Sequence, residues 1–247
     1  MRRLFPLLAL VLLTGCGGVS PSSTSSPATT TETTTTSANT AATAAVFPAK
    51  ATERATVVLY HGWTDLKPDD YLTWIEHLNN EGVTVIFPRY QQSVLSSPEQ
   101  MLTDAETATR DGFDKAPPSG PVIAVGYSLG GGYAVVYGAN AAAWKVPAPA
   151  SVYVIFPAEP PVVPEPFGTV PQETPVTMLV GDRDTVVGGS GAAALAAAIA
   201  PHPTTIRALS STSAIAFDHL SAKRTDSAAQ RAFWVPLDRI IDRLAGP

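Results

Sequence analysis

The sequence predicts an α/β protein with a mostly parallel sheet of about six strands, helices on both faces and no large cap domain. Apolar, β-branched runs typical of buried strands recur at 56–60, 83–87, 122–125, 151–156, 176–180 and 204–209. Helical patterns separate most of these runs, and such alternation is typical of a parallel sheet. Because ligands of these sheets bind beyond the carboxyl ends of the strands, functional residues are expected at that edge.

Five segments between and after the strands have helical character. The first has large apolar residues at helical spacing and ends at Gly82, the second is more polar, and the fourth is rich in alanine. The predicted helices span about 68–81, 101–113, 129–144, 190–200 and 227–244. Together, residues 46–247 have the length of one domain of ordinary size.

The N-terminus resembles a bacterial lipoprotein signal. Residues 1–15 combine two arginines with an apolar run of ten residues, which is too short to span a bilayer. Cys16 follows this run and is the only cysteine, so lipidation at Cys16 is expected and an internal disulfide is excluded. An ordinary secretory signal with a chance cysteine is the alternative. We therefore expect an exported, outward-facing protein, anchored to the membrane through Cys16.

Residues 16–45 are predicted to be a disordered tether behind that cysteine. From Val19 to Ala45, 16 of 27 residues are Ser or Thr, with a single charge at Glu32. This composition cannot bury enough apolar surface to offset its ordering entropy. Loss of residues 1–15 would change the formal net charge from −5 to −7. An acidic chain argues against a nucleic-acid partner. We also expect the protein to be a monomer.

Gly126-Tyr127-Ser128-Leu129-Gly130 has the form G-x-S-x-G between a predicted strand and a predicted helix. In that context the serine lies at the apex of a sharp turn, with its hydroxyl exposed for nucleophilic attack. Glycines two residues to either side allow the strand and the helix to approach closely. A glycine-rich turn whose serine only caps the helix is the simpler alternative. Ser128 is the candidate nucleophile.

A serine nucleophile needs a base that accepts its proton. His219 follows the last predicted strand and therefore reaches the carboxyl edge of the sheet. Of the other histidines, His77 lies within a helix, His202 lies on the opposite edge, and His61 precedes the serine next to a glycine. His219 is therefore the candidate base.

The imidazole in turn needs a carboxylate that holds its tautomer. Asp184 directly follows a strand and lies between Ser128 and His219 in sequence, the order Ser–Asp–His. Three other acids lie close to a strand end or to the base and stay as alternatives, with Asp182 the chief rival: Asp182, Glu159 and Asp218.

The oxyanion that forms during acyl transfer needs two N–H donors. The amide of Leu129 directly follows the nucleophile, and the amide of Trp63 lies in the loop after the first predicted strand. The Trp63 side chain could line an acyl pocket or pack in the core. His61, Tyr127 and Phe167 are further candidates for contact with substrate. Phe167 lies in residues 157–175, where seven prolines predict a stiff wall too short for a helical lid.

Four motifs together resemble the α/β-hydrolase superfamily: His61-Gly62-Trp63, Gly126 to Gly130, Gly181 to Asp184 with Val187, and Asp218-His219-Leu220. The closer likeness is to small serine hydrolases without a large cap, such as the dienelactone hydrolase, chlorophyllase and polyester-hydrolase branches. The family's acid lies three residues after a glycine and before a valine, which matches Asp184. Ser128 departs from the cysteine of dienelactone hydrolases, and the superfamily's first two strands have no clear counterpart before Thr56.

The resemblance implies hydrolysis of carboxylic esters through an acyl-enzyme, with no cofactor and no metal. The substrate would be a small-molecule or polymeric ester. A lipase or acyltransferase that acts on envelope lipids would use the same three side chains. Two non-catalytic alternatives are a binding lipoprotein that keeps the fold and a surface adhesin whose tether is the functional part.

Overall fold

Seven strands form one sheet in the order β1-β3-β2-β4-β5-β6-β7 in the computed structural model, which describes residues 42–246. Strands β2 to β7 are parallel to one another, and β1 is antiparallel to β3 at one edge. The strands are β1 (Ala44–Phe47), β2 (Ala55–Tyr60), β3 (Val83–Pro88), β4 (Val122–Tyr127), β5 (Ser151–Ile155), β6 (Val176–Gly181) and β7 (Thr204–Leu209). This is an α/β-hydrolase fold.

Helices cover both faces of the sheet. They are α1 (Leu72–Asn80), α2 (Pro98–Lys115), α3 (Leu129–Trp144), α4 (Ser190–Ala198), α5 (Ser227–Ala229) and α6 (Val235–Ala245). A π-helical turn, Gln230–Trp234, joins α5 to α6. None of the helices between residues 42 and 246 combines the length and the apolar run that crossing a bilayer requires.

The pleat of the strands divides the interior into two cores. On β2, Val58 and Tyr60 belong to a core shared with residues of α2, α3 and α4, whereas Val57 and Leu59 belong to a second core shared with residues of α1 and α6. Successive side chains of a strand point to opposite faces, so an unbroken apolar run is what a doubly covered strand requires. Small residues along α3 allow that helix to be buried over nearly its whole length.

Strand β1 is the difference from the expected six strands. It begins at Ala44, before the expected start of the domain at residue 46, and it pairs with β3 from Ala44↔Pro88 to Phe47↔Val85. The Ala44 amide also donates to the Asp111 carboxylate at 2.7 Å. These non-local hydrogen bonds order a stretch whose alanines resemble the low-complexity segment before it. Residues 1–41, including Cys16, lie outside the described residues.

Residues 157–175 contain no helix or strand, in agreement with the expectation that no cap domain is present. The segment lies against α3 instead. A Cβ on Gly168 would meet the Ala139 carbonyl oxygen at 1.9 Å, so this part of the chain touches the helix backbone directly. Within residues 42–246, this segment therefore supplies no helical lid over the carboxyl edge of the sheet.

Candidate active site

Ser128 lies at the turn between β4 and α3 with φ 55° and ψ −126°. A non-glycine residue with positive φ is uncommon and persists where its surroundings hold it in place. Here the Ser128 amide donates to the Ile155 carbonyl at 3.1 Å, and its carbonyl accepts from the Ala158 amide at 2.9 Å. The turn is also tight, since a Cβ on Gly126 would lie 2.2 Å from the Gly130 carbonyl oxygen. The sequence thus forms a strained elbow with the serine at its apex.

Ser128, His219 and Asp184 form one hydrogen-bonded chain. His219 Nε2 lies 2.9 Å from Ser128 Oγ, and His219 Nδ1 lies 2.9 Å from Asp184 Oδ2. All three residues are buried, and the Asp184 side chain is fully enclosed. With a carboxylate on Nδ1, the imidazole carries its proton there and presents Nε2 as an acceptor to the hydroxyl. Such an arrangement can remove the serine proton during nucleophilic attack.

Asp184 is held in place by its own backbone neighbourhood. Its Oδ1 accepts from the amides of Val186 at 2.9 Å and Val187 at 3.1 Å, which leaves Oδ2 for the histidine. Asp182, the chief rival, points elsewhere and is bonded to the amide and hydroxyl of Ser211. These hydrogen bonds lower the pKa of the exposed Asp182 carboxyl. The structure therefore brings Asp184, and not Asp182, to His219.

Among the described residues, the remaining candidates for base and acid make no side-chain hydrogen bond to Ser128 or to the His219 ring. His77 Nε2 is bonded to Asp238 at 3.0 Å, and His202 Nε2 is bonded to the Pro171 carbonyl at 3.1 Å. Glu159 is exposed on the segment after β5. Asp218 is also exposed, and its main-chain carbonyl accepts from the hydroxyl and the amide of Ser221.

Two amides are available for an oxyanion. Among the described residues, no acceptor takes the N–H of Leu129, which follows Ser128, or the N–H of Trp63, which follows β2. Trp63 lies in a tight turn in which the Asp65 amide donates to the Gly62 carbonyl at 3.2 Å and Thr64 has φ 73°. Both amides follow parallel strands that are neighbours in the sheet, β2 and β4. They are therefore at the edge where the Ser128 hydroxyl lies.

His61 is a buried packing residue and not a surface that substrate can touch. Its ring stacks on Tyr90 at a centroid distance of 4.2 Å and on Phe87 at 5.2 Å. Nδ1 lies 2.8 Å from the Gly62 carbonyl, and burial lowers its pKa from 6.5 to about 4. The neutral, enclosed imidazole therefore packs beside the turn that carries Trp63 and contacts its first residue, Gly62.

Tyr127 and Phe167, which were also predicted to contact substrate, have packing roles in the structure. Tyr127 is buried, and its hydroxyl donates to the His219 carbonyl at 2.8 Å, so it holds the histidine backbone. Phe167 is half-buried and packs against the core on the α3 face, next to Gly168, which contacts Ala139. Ala139 is eleven residues from Ser128 along the chain, or roughly 16 Å at the rise of a helix. The backbone next to Phe167 therefore lies well along α3 from the serine.

Three polar side chains that the sequence analysis did not single out, Asp65, Tyr71 and Lys223, form a network beside the site. Lys223 ends the 3-10 turn that begins at His219, and Asp65 ends the turn that carries Trp63. No short-range pattern announces this contact, because Lys223 and Asp65 are 158 residues apart in the chain.

Exposed apolar side chains surround this edge of the sheet. Trp63 is 58% exposed and Leu220, next to His219, is 66% exposed. Others lie in the loop after β3 and the loop after β6, both at carboxyl ends: Val94, Leu95 and Val186. Because most large apolar residues of a globular domain are buried, these side chains are candidates for contact with a ligand.

A cavity of about 530 Å³ lies elsewhere, between β5–β7 and α6, and its lining includes Tyr153, Arg207 and Arg239. None of the Ser128, Asp184 or His219 side chains lines it. We place the candidate site at Ser128, because the reactive groups converge there. Within residues 42–246, no cluster of three or more His, Cys, Asp or Glu side chains is arranged to hold a metal ion.

No family model and no curated protein matches the sequence. Among solved structures, the chain is similar to Thermogutta terrifontis esterase 2 phosphorylated by paraoxon, with a TM-score of 0.59 and 14% identity over 83% of this chain and 90% of that chain. The butyrate-bound form of that esterase gives a TM-score of 0.58 and 15% identity over the same shares. Its apo form gives 0.57 and 16%, over 83% and 91%. The likeness establishes the fold.

Proposed function

We propose that this protein is a serine hydrolase that cleaves carboxylic esters through an acyl-enzyme. The observation that carries the proposal is the hydrogen-bonded chain Ser128–His219–Asp184, with the serine on a strained elbow. Strain of this kind concentrates at functional sites, where the surrounding structure stabilises it. A serine that merely capped α3 would accept a hydrogen bond from the first turn of the helix, and Ser128 makes no such bond.

In this mechanism Ser128 Oγ attacks the ester carbonyl while His219 Nε2 takes its proton. Asp184 stabilises the imidazolium that forms. The amides of Leu129 and Trp63 donate to the oxyanion, and collapse of the tetrahedral intermediate expels the alcohol with the proton from His219. Water then attacks the acyl-enzyme by the same route and releases the acid and the free serine.

The solved structures support this chemistry by analogy. The Thermogutta protein is described as an esterase, with forms phosphorylated by paraoxon and with butyrate bound. Because the fold hosts many functions, the argument rests on the groups in this chain, and the likeness adds only that the same fold carries ester hydrolysis elsewhere.

The exposed apolar side chains at the carboxyl edge of the sheet favour a bulky ester, either a small molecule or a polymer. Trp63 and Leu220 are large, apolar and more than half exposed beside the serine–histidine pair. In the part of the chain that the structure describes, no helical lid separates them from solvent, since residues 157–175 lie against α3. When an apolar acyl or alcohol group covers an exposed apolar surface, the removal of that surface from water stabilises the complex.

The signal-like residues 1–15 and Cys16 favour an exported protein that is anchored to the membrane by lipid and faces outward. Each buried methylene of an acyl chain is worth about 0.8 kcal/mol, and two or more chains anchor stably. Palmitate carrying a clickable tag should label the chain in living cells, and a C16S variant should lose the label and leave the membrane fraction. An unlabelled wild-type chain in the soluble fraction would reject the anchor.

The decisive test is reaction of the full chain with a fluorophosphonate probe, followed by peptide mapping. Labelling should occur at Ser128 and disappear in S128A. S227A, at an exposed serine on α5, is the matched control and should label like wild type. Turnover of p-nitrophenyl esters of increasing acyl length should vanish with the label.

A folded wild-type chain that neither labels nor hydrolyses any ester would favour a binding lipoprotein instead. If S128A kept full turnover, the nucleophile would be another group. Addition of an acceptor alcohol to the active enzyme separates hydrolase from acyltransferase, because a transferase forms the new ester in preference to the free acid.

A further inference from the structure

The turn that carries the histidine is tied to the turn that carries Trp63 by an ion pair. His219 opens a 3-10 turn and Lys223 closes it. Lys223 Nζ lies 2.5 Å from Asp65 Oδ1 and 2.8 Å from Asp70 Oδ2. The side chains of Asp65 and Lys223 are 9% and 21% exposed, so this pair is largely shielded from water, whereas Asp70 is more than half exposed.

Hydrogen bonds link Asp65 to both the amide and the carbonyl of Gly62. Its Oδ2 accepts from the Tyr71 hydroxyl at 2.6 Å, and the Tyr71 oxygen accepts from the Gly62 amide at 2.9 Å. The Asp65 amide donates to the Gly62 carbonyl at 3.2 Å. The residue between these contacts is Trp63, whose N–H is one of the two oxyanion donors in the proposed function. The position of that N–H is thus set by groups bonded to Asp65.

Lys223 also lies over the ring of Tyr127, the residue that precedes Ser128. Its ammonium lies 5.7 Å from the centre of the Tyr127 ring, a distance at which a cation and an aromatic face attract each other. Tyr127 directly precedes Ser128, and its hydroxyl donates to the His219 carbonyl at 2.8 Å. One ammonium therefore connects the elbow, the histidine turn and the turn after β2.

We propose that the Asp65–Lys223 pair is a positioning device that holds the Trp63 amide in register with Ser128 and His219, an inference that rests on the proposed function. Neither side chain touches the reacting atoms. Small displacements of an oxyanion donor reduce the stabilisation of the transition state far more than they reduce the binding of the substrate. Loss of the pair should therefore act on kcat and spare KM.

The charge state of the lysine fits this role. Burial opposes the ammonium, but hydrogen bonds and charge interactions with Asp65 and Asp70 outweigh it and raise the pKa of Lys223. The ion pair therefore persists across the pH range in which an esterase works. Shielding from solvent also makes the pair resistant to screening by salt.

The test compares K223M with K223R and with K50M, which removes an exposed ion pair between Lys50 and Glu76. On a p-nitrophenyl ester, K223M should lower kcat 10- to 100-fold with KM within about threefold of wild type. K223R keeps the charge and should recover kcat to within about fivefold, and K50M should match wild type. D65N keeps a group that can bond Tyr71 but loses the charge, and should resemble K223M.

The double variant D65N/K223M decides whether the two residues act as one device, because its kcat should be no lower than that of the worse single variant. All rates are measured well below the melting temperature of each variant, so that unfolding does not contribute. Unchanged kcat in folded K223M and D65N, or equal losses in K223M and K223R, would overturn the inference while leaving the proposed function intact. A wild-type chain that neither hydrolyses esters nor reacts with a fluorophosphonate would overturn both.

Discussion

The carboxylate of Asp184 lies 2.9 Å from Nδ1 of His219, in a position where its side chain is closed to solvent. A buried charge at that distance fixes the tautomer of the ring and favours the imidazolium that proton transfer creates. The second oxygen of the carboxylate is bonded to two backbone amides, so the group has no freedom to turn away.

Exchange of this carboxylate for an amide should nearly abolish turnover. D184N keeps the size of the side chain but can present an N–H to Nδ1, which reverses the tautomer and leaves Nε2 protonated. We expect kcat to fall on the order of 10³- to 10⁴-fold. The measurement is steady-state hydrolysis of a p-nitrophenyl ester, with folding verified by circular dichroism.

D182N is the matched control, two residues away. Asp182 is exposed and bonded to Ser211, so its loss should change kcat by no more than a few fold. Equal damage from the two substitutions would mean that the loop as a whole, and not the contact with His219, matters for activity.

Much of this arrangement could be predicted from the sequence. Alternation of apolar strands and helices predicts the sheet, and parallel strands bring their carboxyl ends to one edge. Ser128, Asp184 and His219 each follow a strand, so their proximity follows from the topology. Strand β1 escaped prediction because alanines in a Ser/Thr-rich stretch carry no periodic signal, and non-local contacts, pairing with β3 and the bond to Asp111, order them.

The chemical environment of single residues could not be predicted in this way. His61 follows a strand and lies beside a glycine, which made it a candidate for substrate contact, yet Phe87 and Tyr90 from the end of β3 enclose its ring. Lys223 and Asp65 meet across 158 residues. Contacts of this kind depend on how distant loops pack, and no local pattern encodes them.

The amide of Trp63 should matter more than its side chain. Trp63 and Thr64 are the central residues of a turn from Gly62 to Asp65, with φ 73° at Thr64. Proline is favoured at the first central position of a turn with positive φ at the second, so W63P should preserve the turn while removing the N–H. We expect kcat to fall roughly 100-fold or more, which corresponds to about 3 kcal/mol.

W63A removes the indole and keeps the amide, so it should raise KM for apolar esters with little change in kcat. Because the indole is exposed, the substitution should leave stability nearly unchanged. If W63A and W63P lost kcat equally, the side chain and not the amide would act in the reaction.

The elbow should not tolerate a methyl group at Gly130. A Cβ there would lie 2.2 Å from the carbonyl oxygens of Tyr60 and His61, and both are backbone atoms that cannot move aside. We expect G130A to lower the free energy of unfolding by at least about 2 kcal/mol. Urea unfolding followed by tryptophan fluorescence measures the loss.

Gly189 supplies the control, because a Cβ on that residue would meet no atom within 4 Å and its φ is −93°. Alanine restricts the unfolded chain more than glycine does, but it is the poorer residue at the N-cap of α4, so G189A should change stability by less than about 1 kcal/mol. Destabilisation of the same size in both variants would mean that close contact with β2 is not what Gly130 provides.

His61 should make the fold sensitive to acid. Burial lowers its folded pKa from 6.5 to about 4, so between these values the unfolded chain binds a proton that the folded chain does not. The stabilisation due to the neutral imidazole is therefore fully present above pH 6.5 and is lost as the pH falls towards 4. Across that window the loss is on the order of 3 kcal/mol.

H61F keeps an aromatic ring between Phe87 and Tyr90 but cannot bind a proton. Urea unfolding of both proteins at pH 7.5 gives the reference difference due to packing and to the lost contact with the Gly62 carbonyl. At pH 4.5 the gap should shift in favour of H61F by roughly 2 kcal/mol or more, because only the wild type must exclude a proton from its core. A gap that stays the same at both values would show that His61 is protonated as easily in the folded chain as in the unfolded one.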